Sequence, residues 1–214
     1  RIKNVAFFRK SGRKGHARTI VEGLLPMGAI ELPMEYPVTT EISVTDPQYN
    51  PLLSEFYEDC KTKIASLSEQ GYEVAVLCEG DPLFYGSFMH LYTRLKDTHP
   101  VMVIPAITGM SGAWTASGAP ITWGDDVLTV LLGTLSLDEL QKRMASSDAL
   151  VIMKIGRNIE KIRQALKASS LYQKAWLIEY ATMPQQTVHK LSECEGKITP
   201  YFSIIIVHGQ GRRP

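Results

Sequence analysis

An α/β protein made of two α/β domains is the architecture this sequence predicts, on three observations. Short β-rich apolar runs alternate with longer amphipathic stretches along the first half of the chain. Most of the short runs are continuously apolar, as strands covered on both faces are. Towards the end the strand-like runs lie closer together, which predicts a mixed sheet there.

The elements follow in order. "VAFF", Val5–Phe8, is the first strand. A loop containing Gly12 and Gly15 leads into a helix over His16–Leu25. Ala29–Met34 reads as the second strand. Pro51–Gln70 is a long helix with Leu52, Phe56, Ile64 and Leu67 on one face. Glu73–Cys78 is the third strand, and it ends at Glu79-Gly80-Asp81-Pro82. Pro82 is suited to opening a helix, expected over Phe84–Leu95. Strand Val101–Ile104 and helix Met110–Ser117 complete the first half. A break is expected at Gly118-Ala119-Pro120, giving domains 1–119 and 120–214, which should pack together because no long Gly/Ser linker joins them. Strands then fall at Val127–Leu132, Ala149–Met153, Ala175–Glu179 and Ser203–His208, with "TVHKL" as a possible extra one. Helices fall at Leu137–Met144 and Ile159–Lys167, where Asp138 and Asn158 stand at first-turn or cap positions.

Composition excludes several functions. The 214 residues are 44% apolar, ample for a core, and the formal net charge is +1. A general nucleic-acid binder is more basic. Cys60, Cys78 and Cys194 form no CxxC pair, and the five histidines are scattered, so no metal site is expected. No apolar run reaches membrane-spanning length and no signal peptide is visible, so a cytoplasmic protein without a membrane partner is expected.

Four turns can carry chemistry. In "EGDP" a glycine at the carboxyl end of a strand lets main chain approach a ligand, where ligands of open α/β sheets bind. A plain turn with a capping aspartate explains these four residues equally well. "PAITGMSGAW", 105–114, repeats the strand-then-turn placement with Thr108, Gly109 and Ser111; alone, tight helix packing is the better reading. "MKIGRN" (153–158) and "EYATM" (179–183) also sit at strand ends and, taken singly, read as structural. In "FFRKSGRKGHAR" the asymmetry is local. Seven basic residues lie between Arg1 and Arg18, and no acid precedes Glu22. Paired glycines and arginines suit capture of carboxylates or phosphates, although composition alone favours a solvated surface loop.

Taken together, the GDP turn, "PAIT", the Met/Gly strand end and the E-x-A-T element resemble the tetrapyrrole methylases. "EGDPLFYGSFMHL", "TGMSGAW", "PITWGDDVLTVL" and "RKGHARTIVEG" resemble one branch, the precorrin-2 C20-methyltransferases of cobalamin synthesis, along essentially the whole chain. The resemblance implies two α/β domains with the cofactor cleft between them. It implies S-adenosyl-L-methionine as cofactor, precorrin-2 as substrate, precorrin-3A as product and a homodimer, with Phe88, Met89 and Trp123 as apolar interface candidates. Residues implied at the cofactor are Glu79, Gly80, Asp81, Phe84, Thr108, Gly109, Met153, Ile155 and Ala181. Arg9, Lys10, Arg13, Lys14, His16 and Arg18 are the natural complement of the substrate's carboxylate rim. Glu35, Tyr36 and Tyr85 are candidate proton acceptors. The alternatives are a related methylase acting on cobalt-factor II, on another ring carbon, or on RNA or protein, and a non-catalytic tetrapyrrole carrier. The family's first strand and its glycine-proline-rich loop are expected upstream of Arg1, and the family's Pro-Gly-Ile-Thr is here Pro105-Ala106-Ile107-Thr108.

Overall fold

Strand β1, Asn4–Lys10, begins with four consecutive buried residues, because it is the centre of its sheet. The computed structural model describes residues 2–38, 42 and 46–213. They divide into two units, Arg1–Ile107 and Thr108–Pro214.

In the first unit β1 is flanked by β2 (Ile30–Tyr36) and β3 (Val74–Leu77), both parallel to it. Pro33 lies in β2, which among the described residues has β1 as its one ladder partner; an edge strand tolerates a residue without an N–H. Helix α1 is His16–Ile20, α2 is Tyr49–Glu69 and α3 is Phe88–Leu95. Ala6, Met34, Cys60, Ala65, Phe88, Leu91 and Leu95 form the core, with Phe56 and Ile64 of the expected apolar face packed against it. Burying each large side chain contributes about 1.5–3 kcal/mol.

Three expectations change here. Helix α1 stops at Ile20 rather than Leu25, in a run of turns leading to Gly23 at φ +78°. β-branched Thr19, Ile20 and Val21 support helix poorly. Helix α3 starts at Phe88, not Phe84, because Tyr85 adopts φ +52°, outside helical geometry. Val101–Ile104 joins no ladder among the described residues. Its period-two pattern survives, since Val101 and Val103 pack on the core while Met102 and Ile104 are 86% and 72% exposed, but no described strand lies beside it to exchange hydrogen bonds.

In the second unit five strands are ordered β4-β5-β8-β6-β7: β4 Leu128–Leu132, β5 Ala149–Met153, β6 Ala175–Glu179, β7 Thr187–Lys190 and β8 Ser203–Val207. β4 and β5 are parallel; β8 is antiparallel to both β5 and β6, and β7 is antiparallel to β6. This is the mixed sheet expected, with "TVHKL" supplying β7. Alternation sets the layers. Val151, Ile178 and Ile206 pack with Ala113 of α4 (Gly109–Ala116) on one face. Leu150, Ile152, Leu177 and Ile205 pack on the other with Leu140 and Met144 of α5 (Leu137–Met144) and Ile162 and Leu166 of α6 (Ile159–Ala168). Because α4 is buried on this sheet, the units divide at Ile107/Thr108, ahead of the break expected at residue 119. The Ser136 hydroxyl accepts from the Glu139 N–H and caps α5, with Asp138 in its first turn. The Asn158 side chain does not cap α6; its amide donates to the Lys154 carbonyl.

Candidate ligand site at the strand ends

Backbone strain marks three of the four turns that the sequence nominated. Outside glycine, a positive φ is uncommon and costs about 1–3 kcal/mol, and such residues cluster at ligand sites. Among the described residues these are Tyr85, Lys154, Ser170, Tyr180 and Thr182. All but Ser170 follow the carboxyl ends of β3, β5 and β6.

In the first unit the two acids of "EGDP" are already occupied. Glu79 accepts the Ala17 N–H at the start of α1, where Gly15 offers no side-chain cap. Desolvation raises the Glu79 carboxyl pKa, opposed by nearby His16 and by that N–H. Asp81 Oδ1 accepts from Leu83 N at 2.9 Å and Oδ2 from Ala106 N at 3.2 Å. Glu79 and Asp81 therefore fasten three segments to the end of β3: the start of α1, the turn after Gly80 and the stretch before Thr108. Between them Gly80, at φ +71°, leaves its main chain without a Cβ beside it. Phe84 lies edge-on to Tyr85, with ring centroids 4.8 Å apart. Desolvation, then the charges of Glu79 and Asp81, push the adjacent Cys78 thiol up to about 11, so it is no nucleophile.

In the second unit the Thr108 hydroxyl caps α4 by accepting from Ser111 N at 3.3 Å. The first turn of α4 carries no acid and Gly109 is exposed, so its N–H groups suit an anionic or carbonyl acceptor. Met153 and Ala181 pack at the margin of the same cluster as α4, so the structure brings Met153, Ala181 and α4 to one face of the sheet. Ile155 departs from this group. Its side chain is 2% exposed within the opposite core, leaving only its main chain for a ligand.

The basic loop is less free than its composition suggests. Arg9 Nε donates to Glu35 at 2.9 Å, Arg18 makes a two-pronged pair with Glu31 at 2.7 and 2.8 Å, and Lys14 pairs with Glu22. Arg13 is exposed, and Lys10 and His16 complete the nominated set; Arg1 lies outside the described residues. Gly15 is demanded by geometry: its φ is +86° and a Cβ would stand 2.8 Å from the Phe8 carbonyl oxygen. Of the proton-acceptor candidates, Glu35 is held below the usual carboxylate range by hydrogen bonds from Arg9 and then Ser11, which makes it a poor base. The Tyr36 hydroxyl is hydrogen-bonded to Ser87, and Tyr85 is 46% exposed. The sequence reading missed Glu22 and Glu31 as partners. The period-two spacing of Glu31 and Glu35 on the outer side of an edge strand was the available signal. Of the interface candidates, Phe88 is a core residue, Met89 is 37% exposed and Trp123 lies under the Arg213 guanidinium.

No helix among the described residues is long and apolar enough to cross a membrane, and no group of three or more His, Cys, Asp or Glu among them is placed to hold a metal.

Residues 1–195 match the family profile of the Tetrapyrrole (Corrin/Porphyrin) Methylases. The chain is 48% identical, over 98% of its length and 86% of the relative's, to the Precorrin-2 C(20)-methyltransferase of Sinorhizobium sp. It is 41% identical to the Cobalamin biosynthesis protein CobIJ of Mycobacterium bovis, covering 95% of this chain but 40% of that longer protein. In fold it is similar to the uroporphyrin-III C-methyl transferase of Thermus thermophilus, solved in complex with S-adenyl homocysteine. That likeness has a TM-score of 0.63 at 18% identity, over 97% of this chain and 81% of that one.

Proposed function

The chain belongs to the tetrapyrrole (corrin/porphyrin) methylases, and from that membership we propose that it methylates C20 of precorrin-2 with S-adenosylmethionine, giving precorrin-3A for cobalamin synthesis. The observation that carries the substrate is the 48% identity, over 98% of this chain, with a protein of that named activity. The strained strand ends support a ligand at those turns. Their chemistry fits this cofactor: Gly80 at φ +71° and exposed Gly109 offer main chain, and Ala181 is small. Glu79, Gly80, Asp81 and Phe84 of the first unit would hold it, with Thr108, Gly109, Met153, the main chain of Ile155, and Ala181 of the second.

When bound, the cofactor supplies a methyl on a sulfonium, whose carbon–sulfur pair leaves with a neutral thioether as the new carbon–carbon bond forms. What the protein must add is placement, for which orientation supplies up to roughly 7–11 kcal/mol. Glu79 and Asp81 contribute by fixing the loop rather than by acid–base work. Arg9, Lys10, Arg13, Lys14, His16 and Arg18 meet substrate carboxylates, and for Arg9, Lys14 and Arg18 this exchanges Glu35, Glu22 and Glu31 for them. The C20 proton leaves after transfer, with Tyr36 and Tyr85 as candidate acceptors beside Glu35, whose basicity Arg9 reduces.

The test is incubation with methyl-labelled cofactor and precorrin-2, followed by mass and carbon NMR of the product. One added methyl at C20 is expected. Label at another ring carbon, or none, refutes the proposal, and a parallel arm with cobalt-bearing substrate separates the two substrate classes.

A further inference from the structure

Thr182 is β-branched and sits at φ +65°, a conformation that such residues rarely take. Something must hold it there. Its N–H donates to the Gln186 side-chain carbonyl at 2.6 Å. The turn is then closed from within, Met183 N donating to Tyr180 O at 2.9 Å and Gln186 N to Met183 O at 3.0 Å. Tyr180, at φ +53°, is tied back to Phe202 O at 2.8 Å. The turn 180–186 is thus rigid at its root and pinned at Thr182 by one side chain.

The pin reaches a second element. A Cβ at Gly112 of α4 would stand 3.2 Å from Thr182 Cγ2 and 3.8 Å from Ala181 Cβ. The missing side chain at Gly112 therefore lets α4 rest on the Ala181-Thr182 turn. One hydrogen bond accepted by Gln186 fixes the turn, the turn seats α4, and α4 begins at Gly109 behind its Thr108 cap. We infer that Gln186 is a positioning residue for cofactor binding, setting the distance between the Ala181 turn and the amino end of α4. The inference rests on the proposed cofactor site. Gln186 itself touches neither cofactor nor reacting atoms in this role. Its carbonyl is the acceptor, so what matters at 186 is an oxygen at that reach.

The experiment compares wild type, Gln186→Leu and Gln186→Glu in the full chain, with S-adenosylhomocysteine binding read by calorimetry. The leucine removes the acceptor at similar size, while the glutamate keeps one. Gln186→Leu is expected to weaken binding about tenfold, to raise the KM for the cofactor alone, and to leave the KM for tetrapyrrole unmoved. Gln186→Glu is expected to restore wild-type affinity. Glycine takes φ +65° without help, so on a Thr182→Gly background the leucine substitution should change affinity little. That background also serves if Gln186→Leu alone fails to fold. Wild-type affinity in Gln186→Leu overturns the inference, as does equal weakness in the leucine and glutamate variants or an undiminished loss on the glycine background. Wild type that binds no S-adenosylhomocysteine instead brings down the cofactor reading on which the inference stands.

Discussion

Gly133 follows β4, and its N–H donates to Met153 O at 2.7 Å. A Cβ there would stand 2.7 Å from the Lys154 carbonyl oxygen and 2.9 Å from Ile162 Cδ1. Ordinary contact begins near 3.4 Å, so in Gly133→Ala the chain must open by about 0.7 Å. Ile162 is fully buried at the tip of contact, and Lys154 is main chain already at φ +54°, so neither side gives way freely. Overpacking of this kind costs about 1–3 kcal/mol. The strain falls on the segment joining Met153 to Ile155, so cofactor affinity should drop together with stability. All three tryptophans, Trp114, Trp123 and Trp176, lie in the second unit, so urea unfolding followed by tryptophan fluorescence reports on that unit alone. Gly109→Ala is the control for stability, because in the same unit its Cβ would meet Ile204 Cδ1 at an ordinary 3.6 Å. A Gly133→Ala protein with an unchanged urea midpoint and unchanged S-adenosylhomocysteine affinity would refute the reasoning that this close approach sets the β5 end.

Other outcomes follow from the same geometry. Asp81→Ala loses the acceptor for Leu83 N and Ala106 N and should cost about 1–3 kcal/mol in first-unit stability by circular dichroism; no loss would mean those bonds are idle. Neutralising Arg13, Lys14 and Arg18 together should raise the KM for the tetrapyrrole while cofactor affinity stays put, and the effect should shrink as salt rises. Normal precorrin-2 binding by that variant at low salt would return the loop to a solvated surface. The Glu22, Glu31 and Glu35 carboxyls are lowered by Lys14, Arg18 and Arg9, so the stability they lend is present above their unfolded pKa and lost as pH falls through the folded one. The acid limb of a stability profile should therefore soften in high salt, and an unchanged limb would count against these pairs. Cys78 should alkylate slowly at neutral pH, with a rate still rising towards pH 11; rapid labelling at pH 7 would contradict its surroundings. If the homodimer implied by the family resemblance forms, light scattering gives the mass of two chains, and a clean monomer would remove it.

Strands and long helices were legible because periodicity is a local property. Continuous apolar runs at Val5, Ala149 and Ser203 became buried strands, and Leu137–Met144 matched to the residue. The misses were places where a non-local partner decides. "VMVI" is continuously apolar like a strand, yet a strand exists only when a neighbour completes its hydrogen bonds, and the run of side chains says nothing about that neighbour. α4 looked like the last element of the first domain because only burial against Val151, Ile178 and Ile206 reveals its allegiance.

The site shows the same division more sharply. Sequence located the turns, because a glycine, an acid and a proline after an apolar run can be little else. It did not show where the charges pair within the chain. Glu79 and Asp81 stand at the proposed ligand turn, and each also accepts from a main-chain donor far along the chain, Ala17 and Ala106. Arg9, Lys14 and Arg18 looked like an uncompensated patch, but Glu22 and two acids on β2 meet them. Both sets of partners have one cause. A charged group's partner is set by topology, and the parallel pairing of β1 with β2 puts Arg9 directly opposite Glu35 across twenty-odd intervening residues. The consequence for recognition is specific. A loop whose cations are already paired to exposed carboxylates loses little when a substrate carboxylate takes the place of its own, so binding there is an exchange of partners. Its strength is set by how many substrate carboxylates engage at once, more than by the loop's net charge.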